Sequence, residues 1–232
     1  EADGHDLTVF TPSSPTWSLK QHGEYFYDNV LLLAPKAEDF GKVTFKDLLG
    51  FVQDGGNILL ATDDRASDAQ RAFAEACGLR LDVAGSKVTD HLAFDEDTDR
   101  EGTHTSIVMS RGGAAMAVLG GESMDNSAIL YRGIGMRSSS SNELITPILE
   151  ANPTSYVARQ ADGDTSPQIL TESMGSGIVL VAGVQGRNNA RVTVAGSLKL
   201  FSNEYALHGE GNVRFVDALS KWAFNQARVL RF

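Results

Sequence analysis

The chain has 232 residues, 42% hydrophobic and 22% charged, a globular composition long enough to bury a full core without disulfides. A formal net charge of −10 and a pI of about 4.9 exclude nucleic-acid backbone binding as the main task, because that needs clustered positive charge. No stretch reaches the roughly 18 apolar residues of a membrane-spanning helix, and the single Cys77 has no internal partner for a bridge.

No charged-then-apolar leader opens the chain, and Glu1-Ala2-Asp3-Gly4 reads as the start of a mature or excised segment. Asp6–Phe10 alternates like a short strand, and Thr11–Thr16, with Pro12 and Pro15, reads as loop. Asn29–Ala34 is a continuous apolar run before Pro35, the pattern of a strand buried on both faces. Thr44 and Asp47 predict a capping box. Phe45, Leu48, Leu49 and Val52 follow at helical spacing, and Asp54-Gly55-Gly56 ends the helix. Asn57–Ala61 is a second buried strand, so 29–61 reads as a βαβ unit.

Ser67 with Gln70 predicts another capping box, opening a helix through Phe73 and Cys77 that Gly78 closes. Leu79–Val83 reads as a strand. Asp90–Gly102 carries six carboxylates and reads as a solvated acidic loop. Thr105–Met109 and Ala114–Leu119 read as weak strands, and Ala128–Tyr131 starts another that runs into Arg132-Gly133-Ile134-Gly135-Met136. Ser138–Ser141 is predicted loop, Asn142 caps a short helix through Leu149, and Gln160–Pro167 is loop. Near the end, Asn212 is the expected cap of a last helix with Phe215, Val216, Leu219, Trp222 and Ala223 on its buried face.

The chain is organised around Gly177–Ser202. Ile178–Ala182 and Val192–Ala195 are short, β-branched and Gly-bounded, so they read as buried strands forming a hairpin. The residues predict one α/β domain over 1–232, with a largely parallel central sheet flanked by helices, this C-terminal antiparallel hairpin and a final helix.

The search for chemistry is mostly negative. No G-x-S-x-G elbow and no Walker loop is present. Gly133-Ile134-Gly135 lacks the third glycine of a dinucleotide fingerprint and reads as a turn. Cys77, on an Ala-rich helix face shared with Phe73, reads as a core thiol. His5, His22, His91, His104 and His208 show no metal-ligand spacing. Asp90-His91 with Asp95 and Asp97 lacks the ligand spacing and turn glycine of a hard-cation loop, so no metal and no cofactor is expected. Ser197 follows Gly196 at a strand end and reads as a helix or turn cap. If a ligand pocket exists, it lies beyond the carboxyl ends of the parallel strands, at Pro35-Lys36, Thr62-Asp63-Asp64-Arg65 and Ser197-Leu198-Lys199. Arg187, Asn188, Asn189 and Arg191 crowd planar donors into the hairpin tip, at the opposite end. There they read as a partner-docking or fold-locking element.

GEYFYDNVLLLAPKAEDFG, LLGFVQDGGNILLA, ILYRGIGM, NPTSY, VAGVQGRNNARVTVAGSLKLFS and ALSKWAFNQARVLRF together resemble the luminal domain of the DDOST subunits of oligosaccharyltransferase, in order from about Leu7 to Phe232. QGRNNARV and GSLKLFS are the most specific parts. The resemblance implies a fold similar to class I glutamine amidotransferases and intraflagellar transport proteins, without the amidotransferase nucleophile. It implies a non-catalytic subunit domain in the endoplasmic reticulum lumen, supporting transfer of lipid-linked oligosaccharide to asparagine. Other subunits would be its partners, and the membrane anchor would lie outside this chain. The alternative is a domain that binds the glycan or lipid-pyrophosphate and presents it. The family's first strand and helix have no counterpart here, and the 201–211 segment is shorter than in animal relatives. Asn152-Pro153-Thr154 is no glycosylation acceptor, because Pro stands in the middle position, and no other N-x-S/T occurs.

Overall fold

A computed structural model describes residues 6–109, 127–138, 142–159 and 168–226. In chain order its elements begin with β1 (Lys20–Gln21), β2 (Glu24–Tyr25), β3 (Asn29–Leu32), α1 (Phe45–Gln53), β4 (Asn57–Ala61) and α2 (Asp68–Ala76). Next come β5 (Leu79–Leu81), β6 (Ser86–Thr89), β7 (Ile107–Met109), β8 (Ile129–Tyr131) and β9 (Met136–Ser138). The last are β10 (Ile145–Glu150), β11 (Tyr156–Arg159), β12 (Gln168–Met174), β13 (Val179–Gln185), β14 (Arg191–Ala195), α3 (Asn203–Leu207) and α4 (Glu210–Ala223). The predicted Ala114–Leu119 strand, the Gln160–Pro167 loop and the Val229–Phe232 end lie outside the described residues.

The main sheet has seven strands in the order β3-β4-β14-β13-β9-β5, with β10 added on β13. β3, β4 and β14 are parallel, and the other pairings are antiparallel. The sheet is therefore mixed, and the expected parallel register holds for its first three strands. The β13–β14 hairpin supplies one antiparallel pair through a short connection, and strands distant in sequence supply the others. A smaller sheet, β12-β11-β6, and the antiparallel pairs β7-β8 and β1-β2 complete the β structure among the described residues.

Period-2 alternation sends each sheet face to its own core. Ile58 and Leu60 of β4, Val192 and Val194 of β14, and Val30 and Leu32 of β3 meet α1 and α2 through Phe45, Leu48, Phe51 and Phe73. Leu59, Ala61, Leu180 and Ala195 face the other way, onto Phe215, Leu219 and Trp222 of α4 and onto Val88 and Val157 of the smaller sheet. Burial of each large apolar side chain here stabilises the fold by about 1.5–3 kcal/mol.

Helix α1 has the predicted capping box. The Thr44 hydroxyl accepts from the Asp47 amide, and the Asp47 carboxylate accepts from the Thr44 N–H. At α2 only half of the predicted box forms. Ser67 Oγ accepts from the Gln70 amide, while the Gln70 side chain turns inward to accept from Thr62 and donate to the Ala34 carbonyl.

Several expectations need correction. Asn142–Leu149 is not helical. Ile145–Glu150 is strand β10, antiparallel to β13. The β-branched Ile145, Thr146 and Ile148 favour extended backbone. Pro147 would break a helix but is tolerated on this edge strand, beside a register shift. Asp6–Phe10 forms no strand, and Leu7 and Val9 are 66% and 81% exposed. β3 is an edge strand covered on one face only, with Leu31 46% and the following Leu33 48% exposed. Asn212 does not cap α4, whose N-cap is Gly209. Buried in the first turn, its amide bonds both the N–H and the C=O of Leu130. Gly211 allows that approach, because a Cβ there would lie 2.0 Å from the Ala128 carbonyl oxygen.

Candidate functional site

The hairpin β13–β14 pairs Gln185 with Arg191 across a tip in which Asn189 adopts left-handed backbone (φ 65°). Because β14 runs parallel to β4, this tip sits at the amino end of the parallel strands, beside Asn57. The tip is bound to three neighbouring elements. Asn188 Nδ2 donates to the carbonyls of Val52 and Gln53, both at 2.9 Å, and so ties the tip to the end of α1. Asn57 Oδ1 accepts from the Arg191 amide at 2.9 Å and from Asn225 Nδ2 at 3.1 Å, while Asn57 Nδ2 donates to Asn29 Oδ1 at 2.9 Å. Asn225 Nδ2 also donates to the Asn189 carbonyl.

Arg191 is buried. Its guanidinium stacks 4.7 Å from the Trp222 ring and donates to the Trp222 carbonyl near the end of α4. Burial holds its pKa below the ordinary arginine value. Asn188, Asn189 and Arg191 thus join β14, α1, α4 and β4 in one network. Arg187 is exposed at the tip, with its charge toward solvent.

A cleft of about 490 Å³ opens beside this lock. Tyr25, Tyr27, Phe51 and Phe224 give it aromatic walls, and Asp28, Asn29, Asp54, Asn57 and Asn225 give it polar ones. Tyr25 donates to Asp54 Oδ2 at 2.6 Å, and that hydrogen bond, helped by burial and the Asp54 charge, pushes the phenol up to about 12. These residues come from three separate segments.

At the carboxyl ends of the parallel strands, the residues predicted to line a pocket are largely engaged with their neighbours. Asp63 accepts from the Arg65 amide and pairs with its guanidinium. Asp64 lies 3.8 Å from Lys87 Nζ, Lys199 pairs with Glu204, and Lys36 is exposed. Ser197 Oγ donates to the Arg132 carbonyl at 2.7 Å and accepts from the Leu200 amide at 3.2 Å, the contacts of a turn cap. Cys77 packs against the α1–α2 core, and burial pushes its thiol up to about 12. Gly133 and Gly196 touch back to back: a Cβ on Gly133 would lie 2.0 Å from the Gly196 carbonyl oxygen, so Gly133-Ile134-Gly135 serves as close backbone packing.

The expected solvated loop after β6 is an ordered polar structure. Asp90 is buried and accepts from the amides of Leu92 and Ala93 and the hydroxyls of Thr154 and Ser155. Asp95 accepts from Thr98, and Asp99 from Thr103 and the His104 amide. Three of the loop's carboxylates therefore fix its path.

A family model for the OST48 N-terminal domain matches residues 1–226. The chain belongs to the OST48 N-terminal domain family. Relatives named as the 48 kDa subunit of dolichyl-diphosphooligosaccharide–protein glycosyltransferase include those of Drosophila melanogaster (36% identical), Arabidopsis thaliana (34%) and Danio rerio (33%). The alignments cover 96–98% of this chain and 53–54% of those proteins, so it spans about half their length. The solved mmIFT52 N-terminal domain superposes with a TM-score of 0.56 at 12% identity, over 81% of this chain and 72% of that one. At that identity the likeness concerns fold alone, and it agrees with the expected resemblance to intraflagellar transport proteins.

Within this OST48-type domain, the sequence reading named no residue of the cleft as a site residue. One signal was available: Asn57 is a polar residue at the head of an otherwise apolar buried strand.

Proposed function

We propose that this domain is a non-catalytic structural and interaction module of the oligosaccharyltransferase complex, supporting transfer of lipid-linked oligosaccharide to asparagine. The family match over residues 1–226, with relatives named as a subunit of that glycosyltransferase, carries the reading. The internal engagement of Ser197 and the raised thiol of Cys77 support a non-catalytic role. The domain works in the endoplasmic reticulum lumen, held to the membrane by a segment outside these residues. Its partners are other subunits, and exposed Arg187 on the locked tip is the docking group. Residues 1–232 form one domain of amidotransferase-like ancestry.

Affinity purification of the full-length protein from detergent-solubilised microsomes tests this. The other subunits co-purify in stoichiometric amounts; a folded protein recovered alone would end the proposal.

A second reading, presentation of the glycan, is favoured by the cleft. Aromatic faces beside amide and carboxylate groups suit sugar rings and hydroxyls, whereas Asp28 and Asp54 repel a pyrophosphate. In that case Tyr27→Ala weakens glycan binding in a titration of the protein with oligosaccharide, and no binding at millimolar glycan removes this reading.

A further inference from the structure

We propose that His91 and His104 form a binding site for a divalent late transition metal, Zn²⁺ or Cu²⁺. The two histidines stand thirteen positions apart in sequence, yet the ordered loop brings their Nδ1 atoms face to face, with ring centroids 4.6 Å apart and planes at 81°. The arrangement is built. The Asp90 amide donates to the His104 carbonyl at 3.0 Å and so ties the two backbones together. His104 sits in left-handed backbone (φ 55°), uncommon outside Gly, Asn, Asp and His. The Asp99 carboxylate accepts its amide, and the Phe94 ring lies 4.1 Å from its imidazole.

The remote nitrogen of His91 is held as well. Its Nε2 is 2.7 Å from the Tyr156 hydroxyl at the start of β11. With Nε2–H donating to Tyr156, Nδ1 of His91 carries a lone pair aimed at His104. A hydrogen-bonded outer group that fixes tautomer and ring orientation is how proteins prepare a histidine ligand. In the metal-free state Nδ1–H of His104 donates to that lone pair. On metal binding the His104 proton moves through solvent to its own Nε2, and both Nδ1 lone pairs bind the ion with no net proton change. Bonds of about 2.0–2.1 Å to each nitrogen need only a small parting of the rings.

Imidazole pairs select Zn²⁺, Cu²⁺ and Ni²⁺ over hard cations. Asp90 and Asp99 are occupied by their loop hydrogen bonds, so water or a partner's side chain completes the coordination. Exposed Glu96 and Asp97 on the same loop favour a cation over an anion.

Calorimetric titration of the chelator-treated protein with ZnSO₄ and CuCl₂ tests the site. One ion binds per chain. His91→Ala and His104→Asn each weaken it at least tenfold, Asn being chosen because it tolerates left-handed backbone. Tyr156→Phe weakens it severalfold at unchanged stoichiometry, and His22→Ala and His208→Ala leave it unchanged. Circular dichroism shows that each variant is folded, and ¹⁵N shifts on metal addition fall on Nδ1 of His91 and His104. Absence of saturable binding at millimolar metal, full affinity in folded His91→Ala, or shifts confined to other histidines would overturn the proposal.

Discussion

Asp90 shows how one residue organises a whole loop. Burial alone would raise its pKa, but donation from Thr154, Leu92, Ser155 and Ala93 outweighs that and holds the carboxyl below its ordinary 3.8. A lowered folded value means that its stabilisation is fully present above the ordinary value and is lost as pH falls through the folded one. Asp90→Asn keeps the size but removes the anionic acceptor, and costs about 1–3 kcal/mol at pH 7 by urea denaturation. The gap between wild type and variant narrows as the titration moves below pH 3.8. Cys77 behaves in the opposite sense: with its thiol raised to about 12, alkylation by iodoacetamide at pH 8 is slow in the native protein and fast after unfolding. Equal rates in the two states would show that the thiol is not packed.

At the scale of elements, the β13–β14 hairpin is the joint of the molecule. Its strands are the centre of the sheet, and its tip clamps the ends of α1 and α4. Arg191→Lys keeps a positive charge but loses the planar stack on Trp222, so it destabilises by about 1–2 kcal/mol in thermal unfolding. A loss equal to that of Arg191→Ala would show that the plane matters more than the charge, and no loss would refute the clamp. The hairpin was legible in sequence because two short β-branched runs flank a tip that tolerates left-handed Asn. β10 was not, because Asn142 imitates a helix cap and the strand's partner, β13, lies some thirty residues downstream. β3 was read as doubly buried because an apolar run does not reveal which face its neighbours cover, and Leu31 and Leu33 lie on the uncovered one. The cleft was equally hidden, since Tyr25, Phe51, Asn57 and Phe224 meet only through tertiary packing. The acidic loop misled for a related reason: composition counts its carboxylates but not the amides and hydroxyls that fold around them.

For the whole molecule, a structural subunit domain and a catalytic one make different demands on their variants. If the domain supports the glycosyltransferase only by folding and docking, every substitution acts through the amount of assembled complex. A catalytic or substrate-presenting domain has variants that assemble normally and still fail. Arg191→Lys weakens the clamp, Arg187→Glu reverses the exposed charge proposed for docking and Cys77→Ala removes the one thiol, so the three probe stability, the proposed interface and chemistry separately. The deciding measurement is glycosylation occupancy of acceptor asparagines in cells whose only copy of the full-length protein is each variant, set against the complex recovered from the same microsomes. The account predicts one line for all variants, with occupancy proportional to assembled complex and Cys77→Ala at the wild-type end. A variant that assembles at the wild-type level but loses occupancy would contradict it.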